Sequence, residues 1–164
     1  MTTPTARRLV NTTRERVWDV IADGWCYSQW VVGNSRMRAV EESWPATGSV
    51  IEHSVGVWPL VVNDRTEVQE CRPHEELVLL ARLGPIGAAR VRLRLTDTPD
   101  GCCRIEMTET PVKGPMALLP DRVAQLTVYP RNRECLWRLA ALAERRHSDA
   151  ADAADAPDAS DASV

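Results

Sequence analysis

Two ionisable side chains, those of His53 and Glu109, fall on the apolar faces of predicted strands. In each strand the alternate residues are apolar: Ile51, Val55 and Val57 beside His53, and Cys103, Ile105 and Met107 before Glu109. Because side chains two residues apart on a strand point to the same face, both ionisable groups are predicted to point inward. An imidazole and a carboxylate that share a pocket can act as a general base and a general acid. The same side chains can instead be structural groups that are hydrogen-bonded to buried neighbours, and the sequence leaves both interpretations open.

Asp64 is a third candidate, because it shares a strand face with Val62, Thr66 and Val68. A bulge after Pro59 would shift the register by one residue and turn Asp64 outward. Other side chains on the same predicted faces would line a pocket, with the aromatic ones at its mouth. We therefore predict a ligand-binding set of Trp30, Val55, Val57, Trp58, Asp64, Leu79, Leu93, Met107, Tyr129 and Leu136.

Motifs that would hold a metal or a cofactor are absent from the sequence. The five cysteines are odd in number and show no Cys-x-x-Cys spacing, and no glycine-rich phosphate loop, Gly-x-Ser-x-Gly elbow or His-Glu-x-x-His pair occurs. The first residues lack the apolar core of a signal peptide, and no apolar run approaches the roughly 20 residues of a membrane helix. These features predict a reduced, cytoplasmic protein with no metal site, no cofactor and no membrane span.

Changes in hydrophobic period outline the elements that position these residues. A strand over 6–11 precedes Thr12-Thr-Arg-Glu15, which reads as a capping box for a first helix, and a short second helix is predicted over 27–31. From about residue 36 to 111 the period is two, with one wet and one dry face, as in an antiparallel sheet. After Pro111 the period is helical, and Asp121 can cap a helix that includes Val123 and Leu126. Pro130 is expected to interrupt or kink this helix, whose strongest part spans 131–146.

Thr98-Pro99-Asp100-Gly101 predicts a tight turn between the last two strands. A type I turn with Gly101 in the left-handed region would set Thr98 opposite Cys102. This register predicts that Arg94 lies opposite Glu106.

The end of the chain differs in composition from the rest. The charged residues after His147 are five aspartates: Asp149, Asp152, Asp155, Asp158 and Asp161. Because the formal net charge of the whole chain is −3, the residues before this segment carry a net charge of +2 and are nearly neutral. A nearly neutral domain does not favour a nucleic-acid partner. The Ala, Asp and Ser residues of this segment match neither a helical nor a strand period and bury little. We predict one folded domain over residues 1–146 and a disordered acidic tail over 147–164.

The order of strand, two short helices, six-stranded meander and long terminal helix resembles the START-like (SRPBCC) superfamily, which includes the birch-pollen-allergen fold. Several stretches are similar to bacterial members of the polyketide cyclase/dehydrase type: Glu15-Arg-Val-Trp-Asp-Val-Ile, Trp30-Val-Val-Gly33, Gly48-Ser-Val-Ile-Glu-His53, Val57-Trp-Pro59, Glu109-Thr-Pro-Val-Lys-Gly114 and Arg131-Asn-Arg-Glu-Cys-Leu-Trp-Arg-Leu. The resemblance covers about residues 5–146. It implies an α+β helix-grip fold, in which a curved antiparallel sheet of about seven strands surrounds a long C-terminal helix, with two short N-terminal helices.

Three functions are consistent with this pattern. The first is binding of a hydrophobic small molecule, lipid-like or polyketide-like, in a cavity between the sheet and the C-terminal helix. The second is a cyclase or dehydratase, which would need an acid/base pair such as His53 with Glu109 or Asp64. The third is a non-catalytic interaction module whose pocket is filled by side chains. The few polar residues at inward positions favour binding, by a monomer or a homodimer, with the small molecule as the expected partner.

Overall fold

Seven strands and three helices make up the computed structural model, which describes residues 5–82, 84, 87–118 and 121–154. The strands are β1 (Thr5–Val10), β2 (Asn34–Val40), β3 (Val50–Val57), β4 (Leu60–Arg72), β5 (Glu76–Arg82), β6 (Ala88–Asp97) and β7 (Cys103–Lys113). The helices are α1 (Arg14–Ala22), α2 (Tyr27–Trp30) and α3 (Asp121–Ala154). Short 3₁₀ turns, Gly24–Cys26 and Pro115–Leu118, precede α2 and α3. The α+β architecture and the element order predicted from the sequence are confirmed.

All seven strands form one antiparallel sheet in the order β1-β7-β6-β5-β4-β3-β2. Every strand from β2 to β7 pairs with its neighbour in the chain, because each connection is short enough to be a hairpin. The β6–β7 hairpin has the predicted register, with Arg94 opposite Glu106. Its turn is closed by a hydrogen bond from Gly101 N to Thr98 O, and Gly101 has a φ of +75°. Among the strand pairs of the described residues, only β1–β7 joins segments that are distant in sequence.

One face of the sheet is concave and carries the core, which α1, α2 and α3 cover. The alternate residues of each strand are buried there, such as Leu77 and Leu79 on β5 and Ile105 and Met107 on β7. From α3 the buried side includes Cys135, Leu136, Leu139, Ala140 and Ala143. This stripe follows the three- and four-residue spacing that a helix needs to present one face to a sheet. The helix-grip arrangement is therefore confirmed.

Helix α3 begins at Asp121, where the sequence predicts its start, but it is continuous through Pro130 and longer than predicted at its C-terminal end. It contains Pro130 in its interior and continues past Arg146 to Ala154. Proline removes one backbone donor, but Val128 and Asn132 on either side of it are buried and fix the helix on the domain. Beyond Arg146, alanine has the highest helix propensity and extends a helix that the packed part has already nucleated. Residues 155–164 of the predicted tail lie outside the described residues.

The predicted capping box at the start of α1 is wrong. The helix begins one residue later than expected, with Thr13 at its N-cap and no hydrogen bond from the Thr13 side chain to the first turn. The Thr13 carbonyl instead accepts the first helical bond, from Val17 N at 3.2 Å. None of the helices in the described part of the chain is long and apolar enough to cross a membrane.

Candidate functional site

Exposure of the concave face increases along β3, β4, β5 and β7 toward the end of the sheet where β3 turns into β4. On β4 the relative exposure rises from 0% at Val68 and Thr66 to 8% at Asp64 and 43% at Val62. These four residues alternate along one strand and so share a face. The concave face is therefore dry at one end and accessible at the other, which we call the open end.

Neighbouring strands show the same transition. On β3, Ile51 and His53 are buried and Val55 is half-buried. On β7, Met107 and Glu109 are buried and Pro111 is half-buried. His53, Asp64 and Glu109 are thus the last buried residues of the concave face on their strands. The three ionisable side chains predicted from the sequence lie at the boundary between the dry core and the open end, and we call them the boundary residues.

His53 is held by a chain of hydroxyl groups. Its Nε2 lies 2.9 Å from Thr66 Oγ1, and the Tyr27 hydroxyl lies 3.3 Å from the same oxygen. Burial lowers the pKa of His53, and the negative charge of Asp64 opposes this shift. The imidazole is therefore neutral at pH 7. Its Nδ1 is buried and has no hydrogen-bond partner among the described residues, so one ring nitrogen remains available.

Glu109 is held by α3. Arg131 Nη1 lies 2.8 Å from Glu109 Oε2, and Arg131 Nε donates to Val32 O at 3.1 Å. One turn later on the same helix, Cys135 Sγ accepts a hydrogen bond from Val32 N at 3.3 Å. Residues four apart on a helix lie on one face, so Arg131 and Cys135 together fasten the segment after α2. This clamp fixes the position of the guanidinium over the Glu109 carboxylate.

Both carboxylate oxygens of Asp64 accept hydrogen bonds from backbone amides. Its Oδ2 accepts a hydrogen bond from Gly84 N at 2.7 Å, and its Oδ1 accepts one from Arg65 N at 2.8 Å. Asp64 is also the direct cross-strand partner of His53. The bulge that would have turned Asp64 outward does not occur, since the β3–β4 pairing runs without a shift from Val57↔Leu60 to Val50↔Glu67. Its carboxylate joins β4 to the segment after β5 rather than standing free in the pocket.

Tyr27 connects the His53 side of the interior with the Glu109 side. Its ring lies 5.4 Å from the His53 ring and 5.3 Å from the Trp30 ring, centroid to centroid. Burial raises the pKa of Tyr27 to about 12, while the hydrogen bond to Thr66 and the charge of Arg131 oppose the shift. The negative charge of Glu109 also raises the pKa of the Tyr27 hydroxyl. Tyr27 therefore contacts the His53 group and lies in the electric field of the Glu109–Arg131 pair.

The remaining predicted site residues fall into two groups. Trp30, Leu79, Leu93, Met107 and Leu136 are buried in the core, and Val55 is half-buried beside the open end. Trp58 and Tyr129 are exposed. Val57 belongs to β3, and its side chain lies outside the described part of the structure. The indole Nε1 of Trp30 is buried and, among the described residues, has no hydrogen-bond partner.

Sequence reasoning missed the residues that hold the boundary residues in place, namely Tyr27, Thr66 and Arg131. Thr66 carried a signal, since the strand period puts it on the same face as Asp64. Arg131 carried a weaker one, since it precedes Cys135 and Leu139 at four-residue spacing on the buried side of α3. Nothing in the sequence relates Tyr27 to Thr66, because the two residues meet only when α2 packs across the sheet.

The side chains of the candidate site do not form a cluster of metal ligands. Within residues 5–82, 84, 87–118 and 121–154, no three His, Cys, Asp or Glu side chains lie close enough together to hold a metal ion. The arrangement can instead offer hydrogen bonds from one neutral imidazole and one guanidinium to a polar group, next to an apolar wall.

Comparison with known proteins identifies the fold of this chain but no activity. No protein-family model and no curated protein sequence matches the chain. Protein CV1439 from Chromobacterium violaceum is similar in structure, with a TM-score of 0.63, 18% identity and coverage of 87% of this chain and 97% of that one. Ara h 8.0201 gives a TM-score of 0.66 at 13% identity, covering 88% of this chain and 98% of its own. The di-domain ARO/CYC protein StfQ from the steffimycin biosynthetic pathway gives 0.66 at 13% identity, covering 88% of this chain and 51% of that one.

Proposed function

Proceeding from the helix-grip fold of the START-like superfamily, we propose that this chain binds an apolar small molecule, lipid-like or polyketide-like, between the concave face of the sheet and α3. The observation that carries the proposal is the rise in exposure from Thr66 to Val62 along β4, which opens an apolar face at one end only. A concave apolar wall with a few convergent polar groups is the usual form of a small-molecule site.

The boundary residues give the proposed ligand an orientation. Its apolar body would lie against Val55, Val62 and Ala81, the accessible concave residues of β3, β4 and β5. A carbonyl or hydroxyl group at its inner end would meet His53 Nδ1, which has no hydrogen-bond partner among the described residues. Satisfying a buried polar atom recovers a desolvation penalty of about 1–3 kcal/mol. The ligand we propose is therefore apolar with at least one polar terminus.

Two adjacent valines provide a matched test. Val62 is on the concave face and Val61 on the opposite face of β4, with similar exposures of 43% and 41%. Val62→Trp would fill the open end, whereas Val61→Trp would add the same bulk to the outside. Titration with the dye anilinonaphthalene sulfonate should show dye affinity reduced at least about tenfold by Val62→Trp and unchanged by Val61→Trp. Equal affinity in both variants would mean that the dye binds elsewhere, and no dye binding by the wild type would favour an interior filled by its own side chains.

Catalysis of the cyclase or dehydratase type is the second candidate, and one observation favours it. A neutral imidazole with an available nitrogen is a competent general base, and His53 has this form. Glu109 would serve as its partner only if Arg131 released it, because the guanidinium lies 2.8 Å from the carboxylate. His53→Ala and Glu109→Gln variants that stay folded but lose turnover of a cyclisable polyketide substrate would establish the reaction. Variants that only lose stability would assign both residues a structural role.

A further inference from the structure

Three connections of the chain meet at the open end. The β3–β4 hairpin, the β5–β6 connection and the exit from β7 all lie at this end, because neighbouring strands in the sheet alternate in direction. Close approaches confirm the grouping: a Cβ on Gly84 would lie 3.1 Å from Val62 Cγ1, and one on Gly87 would collide with Lys113 O. Helix α3 begins immediately after the Pro115–Leu118 turn, so its first turns belong to the same end.

The most exposed large apolar side chains of the described residues are all at this end. Trp58 and Leu60 at the tip of the hairpin, Leu118 before α3 and Leu126 in its second turn are between 77% and 87% exposed. Elsewhere in the described residues no large apolar side chain exceeds 56%. Protruding apolar residues grouped at one end of a monomer indicate an interaction surface. We call these four residues the apolar rim.

The exposed charges around the apolar rim are mostly cationic. Three cationic side chains at this end are exposed: Arg36, which pairs with Ser54 of β3, Arg82 at the end of β5, and Lys113 at the end of β7. Two acids at this end, Asp64 and Glu109, are buried and already hydrogen-bonded. The exposed Glu52 shares a groove with Arg82 and forms an ion pair with Arg38. In the sequence, Asp121 is followed by Arg122 and adds no net charge. The hairpin from Ser54 to Asn63 contains no ionisable residue. The exposed side chains described at this end are therefore apolar, neutral or cationic, apart from Glu52, which is paired with Arg38.

From this combination of protruding apolar side chains and exposed cations we infer that the open end docks on an anionic lipid membrane. Protruding Trp and Leu side chains insert at the boundary between headgroups and acyl chains, and surrounding cations are attracted to the negative surface. Charge complementarity decides in favour of a membrane over a second copy of this chain, because two copies would bring identical cationic groups together. The docked orientation turns the accessible part of the concave face toward the lipid.

Flotation with lipid vesicles tests this inference without reference to any bound ligand. Wild-type protein should float with vesicles of phosphatidylcholine containing about 30 mol % phosphatidylglycerol and should bind pure phosphatidylcholine at least about tenfold more weakly. Trp58→Ser with Leu60→Ser should reduce binding to the mixed vesicles by at least about tenfold. Trp137→Ser is the matched control, because Trp137 is an exposed indole on α3 in the packed part of the helix, and it should leave binding unchanged.

Each alternative result has a distinct meaning. Failure of the wild type to float, or equal loss in Trp137→Ser and in the hairpin variant, would overturn the inference. A wild-type dimer that the hairpin variant dissociates, with no vesicle binding, would assign the apolar rim to a second copy of the chain and also overturn it. Val62→Trp separates this inference from the proposed ligand site, because it should block dye binding and keep vesicle binding.

Discussion

Arg131 Nη1 lies 2.8 Å from Glu109 Oε2, while the Nε of the same guanidinium donates to Val32 O. One side chain of α3 therefore joins the last strand of the sheet to the segment that follows α2. Glu109 is almost fully buried, whereas Arg131 is partly exposed. The two partners consequently differ in what their removal leaves behind.

Removal of Arg131 should destabilise the fold more than removal of the Glu109 charge. Arg131→Gln leaves a buried carboxylate without its counter-charge and should lower the free energy of unfolding by about 2–4 kcal/mol. Glu109→Gln leaves a guanidinium that water can reach and should cost about 1 kcal/mol. Urea unfolding of both variants and of the double variant measures the difference, and the double variant should lose less than the sum of the two.

Arg133→Gln provides the control for that comparison. Arg133 is an exposed residue two positions further along α3, and its loss should change stability by no more than about 0.5 kcal/mol. If Glu109→Gln proved more destabilising than Arg131→Gln, the carboxylate would not depend on this guanidinium.

Stability should fall as the pH is lowered from about 7 to 5, and His53 should be responsible for part of the fall. Burial lowers the pKa of His53 below the ordinary value of 6.5, although Asp64 opposes the shift. Between the lowered pKa and 6.5, the unfolded chain binds a proton that the folded chain does not. The stabilisation from the neutral imidazole is thus complete above pH 6.5 and is lost as the pH falls through the folded pKa.

His53→Gln isolates this contribution, because the amide can still bond to Thr66 but does not titrate. The free energy of unfolding of the variant, measured by urea unfolding at several pH values, should depend less on pH over this interval than that of the wild type. The other histidines are present in both proteins, so their effects cancel in the comparison. Identical slopes would show that His53 is not held neutral by burial.

The folded domain should end at Arg146. Arg146 Nη2 lies 2.8 Å from both Asp23 Oδ2 and Cys26 Sγ, whereas the next described side chains, Ser148 and Asp149, are exposed. Deleting 148–164 should therefore change the melting temperature by less than about 2 °C. Deleting 146–164 should lower it further, because the contacts of Arg146 are lost. A large drop on the shorter deletion would show that the end of the chain packs on the domain.

Most of the fold could be predicted from the sequence, because the sheet is built from local pairings. Between β2 and β7 each strand pairs with the next one along the chain, so the two-residue period and the turn residues are enough to define the order. At the β6–β7 hairpin even the register followed from Gly101. The C-terminal end of α3 differs from the prediction, because helix propensity extends the helix beyond Arg146, and buried residues on both sides of Pro130 keep the helix continuous there.

For the site residues, the sequence could predict only the strand face on which each one lies. Periodicity identified His53, Asp64 and Glu109 as inward, since each is decided by its own strand. Their partners come from other elements: Arg131 from α3, Tyr27 from α2 and Gly84 N from the β5–β6 connection. Such contacts depend on how the layers pack, which no local pattern encodes. Trp58, predicted to line the mouth of a pocket, is exposed at the hairpin tip.

The location of a bound ligand tests the central claim most directly. Methyl-labelled protein can be titrated with anilinonaphthalene sulfonate and followed by two-dimensional NMR. Our account predicts that the largest shift changes occur at methyl groups of the concave face, those of Val55, Val62 and Leu79. Methyl groups of the opposite face, those of Val61, Val78 and Leu80, should change little. Changes confined to the opposite face, or no changes at dye concentrations that saturate fluorescence, would contradict a binding site between the sheet and α3.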